Sequence, residues 1–288
     1  MDVALILVPY HAGDDVVASS KGPRRLVELG AESVLRASGV AVAVDRVDRG
    51  QPFRDTAVSA ARVNTELAAA VRRAAHAGRL PIVLSGSCNS AMGVLAGLNR
   101  RGCGAVWLDA HGDFNTPETT VSGFFAGMSL AVVTGHCYRG YWAAIGESAP
   151  LAEDAIVMYG VRDLSPEAER ERLSRSAITV VPWREGRPEG GLLAPLDELA
   201  RRVEDVYLHV DFDAFDPDVA PGVVDEPVPG GMSFDEAEAI IRGTTERFRV
   251  RAVTLATFTP DRDDEDKTAA VALRILELLG DYARRVNR

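Results

Sequence analysis

The stretch Ala105-Val106-Trp107-Leu108-Asp109-Ala110-His111-Gly112-Asp113 decides how this chain reads. A short apolar run is followed by acids and a histidine at alternate positions. A second stretch, Val206-Tyr207-Leu208-His209-Val210-Asp211-Phe212-Asp213, repeats the arrangement and closes on Asp216-Pro217. Such runs read as buried strands, and alternate residues leaving a strand point to one side. Asp109, His111, Asp113, Asp211 and Asp213 are all metal-ligand types. Held at two neighbouring strand ends, they suit a pair of divalent cations.

Outward from these segments, apolar runs alternate with longer, charged, helix-period stretches. Strands are expected at 3–9, 40–47, 80–85, 105–108, 155–159, 178–182, 206–210 and 251–257. Amphipathic helices are expected at 25–38, 56–77, 166–174, 195–204, 233–246 and 268–284. This alternation predicts an α/β fold with a mostly parallel sheet and helices on both faces. In such folds ligands bind beyond the carboxyl ends of the strands, where both acidic segments fall. The Gly/Pro-rich stretches 185–191 and 220–231 read as a surface loop and a rigid crossover that could wall a pocket.

With 288 residues, 47% of them hydrophobic, the chain can bury a sizeable core, and residues 1–288 are read as a single domain. The net charge of −10 makes nucleic acid and anionic membrane surfaces poor partners. No apolar run reaches the length of a bilayer span. Met1–Tyr10 lacks a basic region and a small-residue cleavage site, so it reads as a first core strand. Cys88, Cys103 and Cys137 are odd in number and widely spaced, which argues against a disulfide framework and for a reducing cytoplasm.

Carboxylates with imidazole suit manganese, and zinc or iron less exclusively. A structural zinc and a calcium loop are both disfavoured by ligand type and spacing. Two cations sharing a water lower its pKa, and the resulting hydroxide attacks a trigonal carbon. The expected reaction class is hydrolysis of an amide, amidine or ester. A lone Asp-x-Asp is commonly a turn or helix cap. Two of them, each after an apolar strand and one holding a histidine, favour the metal reading.

Asp109-Ala110-His111-Gly112-Asp113-Phe114-Asn115-Thr116-Pro117-Glu118-Thr119 resembles a signature of the arginase/agmatinase (ureohydrolase) family. His209-Val210-Asp211-Phe212-Asp213-Ala214-Phe215-Asp216-Pro217, with Ala220-Pro221-Gly222, resembles another. Ser122-Gly123, Gly127-Met128, Gly160-Val161-Arg162-Asp163 and the stretch 263–269 extend the likeness over nearly the whole chain. The resemblance implies a three-layer α/β/α sandwich, a dimanganese centre, a small-molecule substrate and a homo-oligomer, trimer or hexamer. It places Asp109, Asp113 and Asp211 on one metal and His111, Asp109, Asp211 and Asp213 on the other. Asp113 would also accept a hydrogen bond from the nucleophile.

The chain departs from that pattern at four places. Asn89 of Gly86-Ser87-Cys88-Asn89-Ser90 stands where the family has a histidine ligand, and an amide oxygen is a weaker donor. The neighbouring Cys88 is either a thiolate ligand or a small buried residue in a tight turn; a cysteine here is similar to a branch of the family acting on N-hydroxy-L-arginine. Ala126 replaces the proton-shuttling histidine, leaving His11 and His136 as candidate substitutes. Thr257 replaces the carboxylate that pairs with a guanidinium, and Ser165 replaces an acid near the substrate's α-amino group. Asn115 and Ser122 remain as expected substrate contacts, with Phe124 and Phe125 as apolar surface at the mouth. The leading expectation is a binuclear manganese hydrolase cleaving a C–N bond of an amidino or guanidino compound, N-hydroxylated or otherwise modified. The alternatives are a single-metal zinc or iron deacylase and a non-catalytic metal-binding paralogue.

Overall fold

Ten strands and ten α-helices are found among the described residues of the computed structural model, which describes every residue except 13, 16, 49, 51–54, 100, 147–148, 185, 225–226 and 287–288. The strands are β1 (Val3–Val8), β2 (Val42–Arg46), β3 (Leu80–Ser85), β4 (Cys103–Leu108), β5 (Ile156–Tyr159), β6 (Thr179–Val180), β7 (Trp183–Arg184), β8 (Arg187–Pro188), β9 (Asp205–Asp211) and β10 (Arg249–Ala256). The helices are α1 (Gly22–Glu28), α2 (Ala31–Ala37), α3 (Thr56–His76), α4 (Ser90–Leu98), α5 (Ser129–Val133), α6 (Arg139–Ile145), α7 (Glu167–Arg175), α8 (Ala194–Leu199), α9 (Phe234–Arg247) and α10 (Lys267–Val286).

Eight strands form one sheet in the order β2-β1-β3-β10-β9-β4-β5-β6. Every pairing in it is parallel, so the expected mostly parallel sheet is wholly so. Alternation along the strands sends side chains into two cores. Val3, Leu5, Val206, Leu208 and Val210 meet α1, α2, α8, α9 and α10 on one face. Ala4, Ile6, Ala105, Trp107 and Tyr207 meet α3, α4, α5, α6 and α7 on the other. The result is a three-layer α/β/α sandwich. All eight strands expected from sequence are present. The stretch read as a loop at 185–191 contributes instead to the antiparallel pair β7–β8. Residue 185 of that stretch, and residues 225 and 226 of the expected crossover, lie outside the described residues.

The helices differ from expectation where local chemistry intervenes. The run 25–38 breaks into α1 and α2 because Gly30, with φ 106°, turns the chain left-handed. The helix expected at 195–204 stops at Leu199 so that the chain can enter β9 at Asp205. Helix α4 carries no amphipathic signal because residues 90–97 are all buried. Its glycines let it lie close on α3: a Cβ at Gly97 would sit 2.6 Å from the Ala68 carbonyl oxygen. Side-chain caps start the long helices. Asp55 accepts from the Val58 amide at α3, and Ser233 and Glu236 form a capping box at α9. No described helix is long and apolar enough to cross a membrane. Cys88, Cys103 and Cys137 are buried and form no disulfide among the described residues.

Candidate metal centre

Strands β4 and β9 lie side by side with Leu108 opposite Val210, so Asp109 and Asp211 leave the sheet next to each other. Both chains turn at once, and the acids shape those turns. Asp109 Oδ1 accepts from the His111 amide at 2.8 Å, and Asp211 Oδ1 accepts from the Asp213 amide at 2.8 Å. Asp213 Oδ1 accepts from the Ala110 amide at 3.0 Å, which ties one turn to the other. The turn-cap reading therefore holds as well: these carboxylates fix local backbone and still present further lone pairs to the space between them.

That space is a cavity of about 130 Å³. It opens beyond the carboxyl ends of β1, β3, β4, β9 and β10, where a parallel sheet is expected to bind. Two groups of donor atoms lie at it, and all of their residues line it except His209. Asp109, His111 and Asp213 each place one donor within 4.8 Å of the others; so do Cys88, Asp109, His209 and Asp211. Asp109 belongs to both; of the other expected ligands, Asp211 falls in one group only and Asp113 in neither. His111 Nδ1 lies 3.1 Å from Asp213 Oδ2 and 3.4 Å from Asp109 Oδ1. Cys88 Sγ donates to Asp211 Oδ2 at 2.6 Å, and Thr257 Oγ1 donates to Asp211 Oδ1 at 2.5 Å. Asp113 Oδ2 and His209 Nε2 are buried with no hydrogen-bond partner among the described residues.

Two wall residues take strained backbone. Asp113 has φ 49° and Thr257 has φ 72°. Left-handed backbone is a true outlier for a β-branched residue and persists only where the surroundings enforce it. Here the Thr257 amide is held by the Ser85 carbonyl at 3.1 Å.

Charge is crowded at the site. Burial and the charge of Asp213 push the Asp109 carboxyl up to about 6, against the opposing hydrogen bonds from His111. Burial, with neighbouring carboxylates, pushes Asp113 and Asp211 well above the usual range. Burial alone would lower His111, but the charge of Asp213 and the hydrogen bonds to Asp109 and Asp213 outweigh it and keep the ring protonated. Burial likewise works to raise Asp213, and adjacent His111 outweighs it and holds that carboxyl low. A His111 imidazolium supplies part of the positive charge the carboxylates demand.

The expected residues sort clearly. His11, Asn115, Ser122, Phe124, Ser165 and Thr257 line the cavity with the acids and Cys88. His11 Nδ1 is within 3.2 Å of Ser19 Oγ and 3.1 Å of the Gly86 carbonyl oxygen, and its ring stacks on Phe124. Three residues fall elsewhere. Asn89 does not line the cavity; it precedes α4 as its N-cap, because the turn after β3 presents Cys88 instead. Phe125 is buried against Tyr138 and Tyr141, since the short turn before α5 rolls it into the core. His136 lines a separate surface cleft, drawn there by Glu153 at 2.6 Å and by Arg172.

Two residues were missed. Glu169 of α7 reaches the cavity, accepts from the Phe114 amide at 2.9 Å, and is raised by burial to about 7. Its approach depends on Gly112, where a Cβ would lie 2.9 Å from Glu169 Oε1, and no local pattern announces that contact. His209 was detectable: period two puts it on the face of β9 that carries Asp211.

Buried carboxylates, an imidazole already in contact with two of them, and the orphaned buried His209 Nε2 make a donor set that fits a pair of divalent cations. A model of the arginase family matches residues 1–280. The chain is 33% identical to an arginase of Bacillus caldovelox over 222 residues, 75% of this chain and 73% of that one. It is 32% identical over 220 residues to an Nω-hydroxy-L-arginine amidinohydrolase of Streptomyces lavendulae, covering 74% of each. The crystal structure of arginase from Bacillus cereus superposes with a TM-score of 0.84 at 28% identity, covering 98% of both chains. With both acidic turns and every strand of the sheet inside the matched span, the chain belongs to the arginase family of hydrolases.

Proposed function

We propose that this chain is a binuclear manganese-dependent amidinohydrolase whose substrate is a small guanidino compound of weakened basicity, such as an N-hydroxyguanidine. The observation that carries the reading is the pair of donor groups that share Asp109. Bound among those donors, two divalent cations would acidify a shared water and supply the nucleophile near neutral pH. Manganese suits this oxygen-rich set with a single imidazole in each group.

The chain's own residues do the rest. Asp113 Oδ2, buried and unpartnered, takes up the proton released as water adds to the trigonal carbon. Asn115 is held by the Ser165 carbonyl at 3.2 Å and by Thr119 Oγ1 at 3.0 Å, and with Ser122 and Glu169 it binds the polar far end of the substrate. His11 and Phe124 form one wall. His11 donates a proton to the departing nitrogen, a task the Ala126 methyl cannot perform. The C–N bond breaks, giving an amine and a urea, or a hydroxyurea from a hydroxyguanidine.

Thr257 supports the substrate class. Its neutral hydroxyl reaches Asp211 Oδ1 and the Ala256 carbonyl oxygen, so that wall offers no anion to a guanidinium. An unpaired buried charge costs about 3–5 kcal/mol. A hydroxyguanidine is a weaker base than a guanidine and can enter neutral. The Streptomyces lavendulae relative, by its name, acts on such a compound. The test is turnover by the manganese-loaded chain on Nω-hydroxy-L-arginine, L-arginine and N-acyl amines. Hydroxyarginine should exceed arginine in kcat/KM by about tenfold or more. A chain holding two ions that turns over none of them contradicts the proposal; cleavage of acyl amines alone assigns it to a deacylase.

A further inference from the structure

We infer that His209 is a ligand of this centre, its Nε2 supplying to the group around Cys88 the imidazole that the turn after β3 does not carry. The inference deepens the binuclear reading and rests on it. His209 lies in the middle of β9, fully buried, opposite Trp107 of β4. Its ring stacks on the Trp107 indole with centroids 3.9 Å apart, which fixes its plane. Trp107 is itself anchored to the site, donating from Nε1 to Asp109 Oδ2 at 3.1 Å. The Tyr207 hydroxyl lies 2.8 Å from His209 Nδ1.

With Nδ1 occupied, Nε2 is the free ring nitrogen, and it is buried without a partner among the described residues. Buried polar atoms are rarely left so. One donor of His209 lies within 4.8 Å of donors of Cys88, Asp109 and Asp211, which face the same cavity. A ligating histidine ordinarily gives its other ring N–H to a fixed oxygen, and Tyr207 is placed to receive it. The imidazole thus comes from β9 rather than from the loop after β3.

His209→Phe keeps the stack and the volume and removes the donor. Equilibrium dialysis against manganese should find two ions per chain for the wild type. The variant should hold one, or bind the second at least about tenfold more weakly. Two ions at unchanged affinity in a folded variant would overturn the inference while leaving the binuclear reading intact; a wild type that binds no manganese would overturn that reading itself. Should the variant not fold, an anomalous difference map of manganese-soaked wild type decides. An ion within about 2.5 Å of His209 Nε2 is expected, and none within that distance refutes the inference.

Discussion

Thr257 holds a backbone conformation that β-branched residues rarely adopt, and its hydroxyl reaches Asp211 Oδ1 and the Ala256 carbonyl oxygen. Replacing it by glutamate should restore a counter-charge and lower KM for L-arginine by about tenfold or more, given the usual 3–5 kcal/mol for an unpaired buried charge. Steady-state kinetics on arginine and hydroxyarginine check this, and an unchanged KM ratio would remove Thr257 from the substrate wall. His11→Ala should lower kcat by about 100-fold, the usual scale for loss of a general acid, with KM little changed. The loss should be larger for arginine, whose amine leaves less readily. Asp109→Ala should remove both ions, because Asp109 is shared by the two donor groups; elemental analysis of the dialysed variant reads this directly. At this scale the acids and His111 were legible from spacing alone. Residues placed by packing were not: Phe125 turns into the core, His136 follows Glu153, and Glu169 arrives through space left by Gly112.

The two acidic turns are elements in their own right, and Arg162 fastens one of them. Its guanidinium donates to the carbonyl oxygens of Gly160, Asp213, Ala214, Phe215 and Val228. Arg162→Ala leaves these acceptors short of donors around the Asp213 turn. It should cost about 2–4 kcal/mol, since single hydrogen bonds to a charged group contribute about 1.5–3; denaturant unfolding measures it. A loss within 0.5 kcal/mol, roughly the effect of an ordinary surface substitution, would mean water replaces the arginine. The strands of the main sheet were legible because each is a short apolar run, whereas β7 and β8, two residues each, were not. Helix α4 was not, because a helix buried on every side has no polar face to show its period.

Across the whole molecule, the crowding of carboxylates links stability to metal and pH. Asp109, at about 6 in the folded chain against an ordinary 3.8, binds a proton that the unfolded chain has released over that interval. Asp113 and Asp211 are raised as well. Stability from these groups therefore falls as pH rises through their folded values. His209, lowered by burial to about 3 from 6.5, works the other way and loses stability as pH falls between those values. Metal binding must displace the carboxyl protons and the His111 proton, so the stabilisation it confers grows with pH. At 100 times Kd, bound manganese adds about 2.7 kcal/mol, which for a chain of this size is about 5–10 °C in Tm. That gain should be present at pH 8 and largely absent at pH 5.5 by thermal melts with and without chelator. Equal gains at both values would mean the ions bind away from the acids. The sandwich as a whole was legible because strand and helix signals alternate regularly. The measurement that bears most directly on the central claim is an anomalous difference map at the manganese edge from a crystal grown with that metal. Two peaks in the cavity, both touching Asp109, are expected; an empty cavity, or ions bound only elsewhere, would contradict it.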